Sequence, residues 1–333
     1  MKKNLVIIFG GKSNEHEVSI KSAKSIVKYI NKEKYNIKLV YINKEGKWLL
    51  CNNINKLSNL IELKDFKILT LSDIVFPILH GSYGEDGKIQ GLFEMLNVAY
   101  VGCNQISSCI AMDKGITKML LDNIDIPQAK YIIINKNEYN LNDILQKIKN
   151  NIGYPCFIKP ANSGSSIGIN KIYHESEVNK FVEEAFKYDS KILIEEYIRG
   201  REVEIGILGN DDIIVSNIGE VIAGDDFYSY DAKYNSKKSV VKIPIKLKDD
   251  IQDKIKKYAI TIYKFLECSG LSRLDFFIQN ETSNIYFNEI NTMPGFTNIS
   301  MYPLLIEDIG IKYDILIDKL IELGINRYKE KSR

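Results

Sequence analysis

Glu289 and Asn291 are two oxygen-bearing side chains in the strand-like segment "NIYFNEINTMPGF" (284–296). Residues i and i+2 of a strand lie on the same face, so both side chains point the same way. The same spacing puts Arg273 and Asp275 of "SRLDFF" on one face of another predicted strand. If the two strands are neighbours, Asp275, Glu289 and Asn291 form the kind of oxygen set that Mg²⁺ takes. The alternative is a pair of surface strands with solvated polar faces.

A second candidate for chemistry is Lys159, which a predicted strand delivers to the Gly- and Ser-rich loop of "FIKPANSGSSIG" (157–168). Backbone amides of such loops can bind phosphates, and a lysine adds positive charge. This segment is not a P-loop, because the lysine precedes the glycines. The N-terminal "GGKS" fails the same test, since Val6 stands where the first glycine belongs. A plain flexible hairpin would explain the glycines, but explains Lys159 less well.

Composition limits the class of protein. The 333 residues are 45% hydrophobic and 26% charged with net charge +2, which predicts two or three globular domains and no nucleic-acid partner. The five cysteines contain no C-x-x-C pair and indicate no disulfide framework, and the three histidines form no zinc-type cluster. No run reaches the roughly 18 apolar residues of a membrane helix. "MKKNLVIIFGG" is interpreted as a first strand rather than an export signal, so we expect a cytoplasmic protein.

The order of predicted elements divides the chain into three parts. Strands and helices alternate over 1–102, which indicates a parallel α/β domain. A small α+β domain with the glycine loop is expected over 103–199, where "SSCIAMDKGITKMLLDNI" predicts a single helix. A second α+β domain over 200–333 carries the candidate metal strands. Its charged, tyrosine-rich segment 224–242 fits a mobile lid that excludes water; the alternative is an exposed loop without a catalytic part.

Four segments, "FIKPANSGSSIGINKI", "ILIEEYIRGREVEI", "RLDFF" and "FNEINTMPGF", together resemble the ATP-grasp superfamily. Four more, "FGGKSNEHEVSI", "LHGSYGEDGKIQG", "YSYDAKY" and "FTNISMYP", make the chain similar to the D-alanine–D-alanine ligase family within it. The resemblance implies a three-domain ATP-grasp fold, α/β and α+β, with an N-terminal Rossmann-like parallel-sheet domain. It also implies ATP-dependent joining of two D-alanine molecules through an acyl phosphate, for peptidoglycan precursor synthesis. The expected cofactors are ATP and two Mg²⁺ ions, with Mn²⁺ as a possible substitute, and the expected assembly is a homodimer.

The resemblance assigns the ATP and metal contacts. The metal ligands would be Asp275, Glu289 and Asn291. The residues around ATP would be Lys118, Lys159, Ser166 and Lys233 on the phosphate side and Glu195, Glu196, Ile198 and Glu202 around the base and ribose. The alternative for the glutamates of "IEEYIRGRE" is a solvated strand edge.

The resemblance also assigns the amino-acid side of the site. Glu15 would anchor the ammonium of the first substrate, in a hydrogen-bonded network with Ser165 and Tyr234. Arg273 and the Gly295 amide would stabilise the oxyanion of the tetrahedral intermediate, Ser300 would hold the carboxylate of the second substrate, and His80 would lie in the substrate site. On local evidence Glu15 is equally well explained as a favourable charge at a helix N-terminus, and His80 as a structural turn residue.

Two positions bear on the second substrate. The lid tyrosine, Tyr234, and the uncharged Met301 before Tyr-Pro favour D-alanine over the D-serine or D-lactate that glycopeptide-resistance relatives use. A D-alanine–D-serine ligase stays an alternative, because an apolar pocket separates such small groups by only roughly 1–3 kcal/mol. A non-catalytic nucleotide-binding relative is a third possibility. It is disfavoured because every expected metal ligand is present in the sequence.

Overall fold

A computed structural model of the chain describes residues 2–222 and 240–331. The first sheet has the order β4-β3-β2-β1-β5, built from β1 (Lys3–Gly10), β2 (Tyr35–Ile42), β3 (Trp48–Cys51), β4 (Ile61–Glu62) and β5 (Ile74–Pro77). β1 pairs in parallel with β2 and β5, as the alternating pattern predicts, whereas β3 and β4 are antiparallel. The short β2–β3 connection explains this mixed edge, because parallel neighbours need a long crossover.

The first domain also contains α1 (His16–Tyr29), α2 (Lys67–Thr70) and α3 (Lys88–Met95). The single helix predicted after it is wrong, because α4 (Gln105–Met112) and α5 (Lys114–Leu121) are separate helices. Asp113 has an extended backbone (φ −88°, ψ 97°), and its side chain accepts a hydrogen bond from the Ile116 amide at 3.1 Å. Asp113 therefore caps a new helix, as aspartate commonly does.

The second sheet is antiparallel in the order β6-β9-β7-β8, with β6 (Tyr131–Asn135), β7 (Cys156–Pro160), β8 (Asn170–Ile172) and β9 (Lys191–Glu196). The helices α6 (Leu141–Lys147) and α7 (Val178–Ala185) accompany it, and their apolar residues share one core with the strands. β7 and β8 pair as the predicted hairpin, so the glycine loop is the connection between two strands of this sheet.

The third sheet, in the order β12-β11-β10-β13-β14, is also antiparallel. Its strands are β10 (Gly200–Gly209), β11 (Ile214–Ile222), β12 (Val240–Lys242), β13 (Gly270–Gln279) and β14 (Ile285–Asn291). The predicted lid ends in β12; its residues up to 239, with Lys233 and Tyr234, lie outside the described residues.

Within its described residues, the C-terminal part contains the helices α8 (Asp249–Phe265), α9 (Met301–Asp308) and α10 (Tyr313–Lys331). The apolar face of α10, with Leu316 and Leu320, shares a core with Leu5 and Ile7 of β1. The last helix therefore packs back on the first sheet and holds the two ends of the chain together. In the part of the chain that the structure describes, no helix is both long and apolar enough to cross a membrane.

Candidate active site

The prediction that the two strands with candidate metal ligands are neighbours in one sheet is confirmed. β13 pairs with β14 so that Asp275 lies opposite Glu289 and Arg273 opposite Asn291. The Asn291 side-chain amide donates to Asp275 Oδ2 at 3.3 Å. Asp275 is 2% exposed, so the alternative of two solvated polar faces is wrong for this strand pair. Strand alternation thus gathers two carboxylates and an amide on one face.

Arg273 and Glu204 complete this face. Glu204 of β10 lies opposite Asp275 across the sheet, and the guanidinium binds Asp275 through Nε at 2.8 Å and Nη2 at 2.7 Å. Arg273 Nε also lies 2.7 Å from Glu204 Oε2. Desolvation lowers the pKa of Arg273, but the Asp275 and Glu204 carboxylates outweigh it and raise the pKa well above its usual value. Glu204 is not among the residues predicted from the sequence, although it lies two residues from Glu202 in the same strand.

The donor set on this face suits magnesium. Among the described residues, no group of three or more His, Cys, Asp or Glu side chains is placed to hold a metal ion. Mg²⁺ is usually bound by one or two carboxylates together with phosphate oxygens and water. Asp275, Glu289 and Asn291 therefore fit this ion when a triphosphate supplies the remaining oxygens.

A buried group of charges lies on the second sheet. Glu195 is 4% exposed and lies between two ammonium groups, with Lys118 Nζ 3.5 Å from Oε1 and Lys159 Nζ hydrogen-bonded to Oε2. Burial raises the pKa of Glu195, but both lysines outweigh burial and lower it. Burial lowers the pKa of Lys118 despite the carboxylate. The structure thus brings together the two lysines predicted for phosphates, but it gives them the glutamate predicted for adenine as counter-charge.

The rest of the predicted adenosine segment follows along the chain. Glu196 is half-buried and on the opposite face of β9 from Glu195, and Ile198 is buried. Glu202 of β10 accepts a hydrogen bond from the Asn288 amide at 3.5 Å. The solvated-edge alternative is therefore wrong for Glu195, while the adenosine contacts of these four residues stay predictions.

The glycine loop contacts the first domain through Ser165. Its hydroxyl donates to Glu15 Oε1, as the predicted network requires. Glu15 precedes α1 and makes no side-chain capping hydrogen bond to that helix, and a favourable charge at the helix N-terminus stays an alternative to the anchor role. A Cβ on Gly164 would lie 3.2 Å from Glu15 Oε2, which shows how closely the loop approaches. Ser165 and Ser166 both have left-handed backbones (φ 51° and 59°); Tyr234 lies outside the described residues.

His80 connects the first domain to the segment after β14. Its Nδ1 lies 2.9 Å from the Met293 carbonyl and its Nε2 3.0 Å from Ser22 Oγ. A carbonyl only accepts, so Nδ1 carries the proton. Burial lowers the pKa of His80 and keeps the ring neutral, so Nε2 accepts from the serine. Both ring nitrogens have protein partners, an arrangement that favours a positioning role over direct substrate contact.

Glu85 lies at the same junction and is not among the site residues predicted from the sequence. It accepts hydrogen bonds from the Gly81 amide at 2.7 Å and the Met293 amide at 3.1 Å. Desolvation and the negative charge of Glu15 raise the pKa of Glu85 to about 8. His80 and Glu85 therefore hold the carbonyl and the amide of the same residue, Met293, two positions before Gly295. Glu85 stands in the quoted "GSYGEDG" motif, but a sequence does not reveal which of its two acids is enclosed.

The predicted second-substrate residues lie at the start of α9. Ser300 Oγ accepts a hydrogen bond from the Thr297 amide at 3.1 Å, and a Cβ on Gly295 would lie 3.4 Å from that oxygen. Met301 is buried, and a Cβ on Gly219 of β11 would lie 3.1 Å from its sulfur. Gly295 and Ser300 are therefore brought together, while Met301 packs beneath β11.

Two family models match the chain: "D-ala D-ala ligase N-terminus" over residues 4–103 and "D-ala D-ala ligase C-terminus" over residues 120–322. The chain belongs to the D-alanine–D-alanine ligase family. It is therefore an enzyme of the ligase class with the ATP-grasp fold, as the sequence motifs predict.

Similar proteins include D-alanine--D-alanine ligase B of Clostridium tetani, 47% identical with 98% of this chain and 95% of the relative covered. The D-alanine--D-alanine ligase of Caldicellulosiruptor bescii is 45% identical, with coverage of 99% and 97%. Among solved structures, VanG D-Ala:D-Ser ligase from Enterococcus faecalis has a TM-score of 0.88 at 35% identity, covering 97% of this chain and 100% of that one. D-alanine--D-alanine ligase from Bacillus anthracis, complexed with ATP, has a TM-score of 0.79 at 29% identity and 99% coverage of both chains.

Proposed function

We propose that this chain uses ATP to join two D-alanine molecules into D-alanyl-D-alanine, the dipeptide precursor of peptidoglycan. The observation that carries the proposal is the face shared by β13 and β14, on which the Arg273 guanidinium binds Asp275 and Asp275 lies opposite Glu289. The cation proposed to stabilise the oxyanion is thus next to the proposed metal ligands, and this arrangement supports an acyl-phosphate reaction.

In the first step, a carboxylate oxygen of the first D-alanine bonds to the γ-phosphorus of ATP, and the bond to the ADP oxygen breaks. Glu15 anchors the substrate ammonium, and Lys118 and Lys159 offset charge on the phosphates. Positioning and charge neutralisation supply most of the catalysis in phosphoryl transfer. Asp275, Glu289 and Asn291 would hold two Mg²⁺ ions, or Mn²⁺ in their place, which when bound neutralise charge on the phosphate oxygens.

In the second step, the amine of the second D-alanine attacks the acyl carbon and a C–N bond forms. The C–O bond to phosphate in the tetrahedral intermediate then breaks, and the proton lost from the amine leaves with inorganic phosphate. Arg273 and the Gly295 amide stabilise the oxyanion, while Ser300 binds the carboxylate of the incoming amino acid. We also propose that segment 224–242, with Lys233 and Tyr234, closes over the phosphates and excludes water from the acyl phosphate.

The proposal includes a cytoplasmic setting and a homodimer. All five cysteines are free thiols, which is usual in a reducing compartment. Light scattering of the purified protein tests the dimer, for which a mass near twice 38.1 kDa is expected.

D-serine as the second substrate is the competing specificity, favoured by the likeness to the D-Ala:D-Ser ligase. Met301 argues against it, because a buried thioether against β11 offers no strong donor or acceptor for a serine hydroxyl. We therefore assign D-alanine as the preferred second substrate.

Phosphate release from ATP tests the function, with Mg²⁺ and D-alanine, D-serine or D-lactate in turn and product identification by mass. Release with D-alanine alone, giving D-alanyl-D-alanine, is expected. E289A should lower this rate by at least about 100-fold, since even the partners of metal ligands contribute 10–100-fold. E281A, in the exposed turn between β13 and β14, is the matched control and should leave the rate unchanged. ATP binding without turnover on any amino acid would instead indicate a non-catalytic relative.

A further inference from the structure

Lys114 is a buried cation at a point where three parts of the chain meet. It is the first residue of α5 and is 8% exposed. Its Nζ donates to the Ser163 carbonyl in the glycine loop at 2.7 Å and lies 3.7 Å from Glu289 Oε2 on β14. Its backbone amide donates to the Ala161 carbonyl at 3.1 Å. One lysine thus contacts both the candidate phosphate loop and a candidate metal ligand.

Different regions of the fold hold the glycine loop at three successive points. Asp189 accepts hydrogen bonds from the Asn162 amide at 2.8 Å and from its side chain at 2.9 Å, within the second domain. Lys114 binds the carbonyl of Ser163, and Glu15 of the first domain binds the hydroxyl of Ser165. Of these three contacts, the Lys114 contact is the one that also reaches the third sheet, through Glu289.

The carbonyl contact has a geometric consequence for the loop. A peptide unit is planar and trans, so the Gly164 N–H points away from the Ser163 carbonyl in the same unit. By binding that carbonyl, Lys114 fixes the direction in which the Gly164 amide points. Backbone amides of such loops are the groups that bind phosphate oxygens.

We propose that Lys114 is a positioning residue for ATP with its metal: it sets the Ser163–Gly164 peptide of the glycine loop relative to the Glu289 carboxylate. The proposal rests on the proposed function, because it concerns the same ATP site. Removing the ammonium releases both the loop peptide and the carboxylate from their common partner, so the phosphate and metal contacts no longer form together.

The test compares K114M with K191M. Lys191 is a suitable control because its side chain pairs with Asp113, the neighbour of Lys114, in a similarly enclosed ion pair. Calorimetry measures the binding of ATP with and without Mg²⁺, and steady-state kinetics give separate KM values for ATP and D-alanine. K114M should weaken ATP–Mg²⁺ binding and raise the KM for ATP by about 10–100-fold, the usual effect of losing a partner of a metal ligand. K191M should lower the unfolding temperature while ATP binding stays near wild type.

Equal effects of K114M and K191M on ATP binding would overturn the proposal, as would a K114M defect confined to the KM for D-alanine. K114R restores the positive charge and should restore most ATP binding. If K114M does not fold, K114Q replaces it, since its amide still donates to the Ser163 carbonyl but carries no charge for Glu289. If the wild type makes no dipeptide, the proposed function fails, while the calorimetric comparison still decides the role of Lys114.

Discussion

Replacing Glu195 with glutamine removes the carboxylate that separates two enclosed ammonium groups. Lys118 and Lys159 both pair with it, and Lys118 is only 1% exposed. In E195Q the two lysines lose the counter-charge between them. Breaking a buried pair by removing one partner costs about 3–5 kcal/mol of unfolding free energy, because an uncompensated charge stays behind. Deprotonation of Lys118 limits this loss of unfolding free energy. Burial already lowers the pKa of Lys118, so the side chain can give up its proton when the carboxylate is gone.

The unfolding free energy lost in E195Q should depend on pH. The pKa of Glu195 in the folded protein lies below its ordinary value of 4.5, since the lysines outweigh burial. Its contribution to stability is therefore fully present above pH 4.5 and disappears as the pH falls through the lowered value. The difference between wild type and E195Q should be large at pH 7 and should narrow in acid.

Thermal and urea unfolding followed by circular dichroism measure this difference at pH 7 and pH 4. At pH 7 a loss of 3–5 kcal/mol corresponds to a fall in Tm on the order of 10 °C. E62Q is the control, since Lys47 and Glu62 form a pair at 3.8 Å in which both side chains are more than half exposed. Such a surface pair contributes about 0–1 kcal/mol.

The same unfolding measurement can be repeated with saturating ATP. Its phosphates supply new negative charge to the two lysines, so saturating ATP should raise the Tm of E195Q by more than that of wild type. Unfolding of E195Q at the wild-type temperature at pH 7 would contradict this prediction, because the lysines would then not need the carboxylate. A loss in E62Q as large as that in E195Q would refute it as well, since burial would not be the cause.

Three further outcomes follow from the site. S165A removes a charge-assisted hydrogen bond to Glu15 worth about 1.5–3 kcal/mol, so the KM for the first D-alanine should rise roughly 10–150-fold with ATP affinity unchanged; an altered ATP affinity alone would contradict the assignment. The raised pKa of Glu85, about 8, means that the stability provided by its neutral form is present at low pH and lost as pH rises through 8. Between pH 6 and pH 9 the Tm of wild type should therefore fall more than that of E85Q, and parallel curves would contradict this. In competition assays D-alanine should be preferred over D-serine as second substrate by roughly 10–200-fold in kcat/KM, and a preference for D-serine would show that Met301 was misinterpreted.

Local periodicity accounts for the part of the site that the sequence predicts. The two-residue spacing on β13 and β14 is a property of any strand, so Asp275, Glu289 and Asn291 could be placed on one face before the sheet was known. The resemblance, rather than the spacing, supplied the bond between Glu15 and Ser165. The division of α4 from α5 carried a usable signal, since aspartate before a helical run is a capping residue.

Contacts between distant parts of the chain could not be predicted in the same way. Glu85 lies 208 residues from Met293 in the sequence. No periodic pattern in the sequence indicates that Glu85 is buried or that it lies near Glu15. Lys114 is one of many lysines in the sequence, and only the meeting of α5, the glycine loop and β14 distinguishes it. Such residues are defined by how the domains pack, which depends on the whole core.

The hydrogen bonds from the first domain to Met293 limit how segments of this protein can be exchanged with those of its relatives. Ser22 bonds the Phe296 amide at 3.3 Å, while His80 and Glu85 hold both peptide groups of Met293. The chain around Gly295 is thus encoded at one end of the gene and held in place by residues encoded at the other. A chimera that exchanges residues 1–102 must keep these three side chains or replace the Met293–Phe296 segment together with them. Residues 1–102 and the Met293–Phe296 segment therefore have to be exchanged together between family members, because neither keeps its contacts without the other.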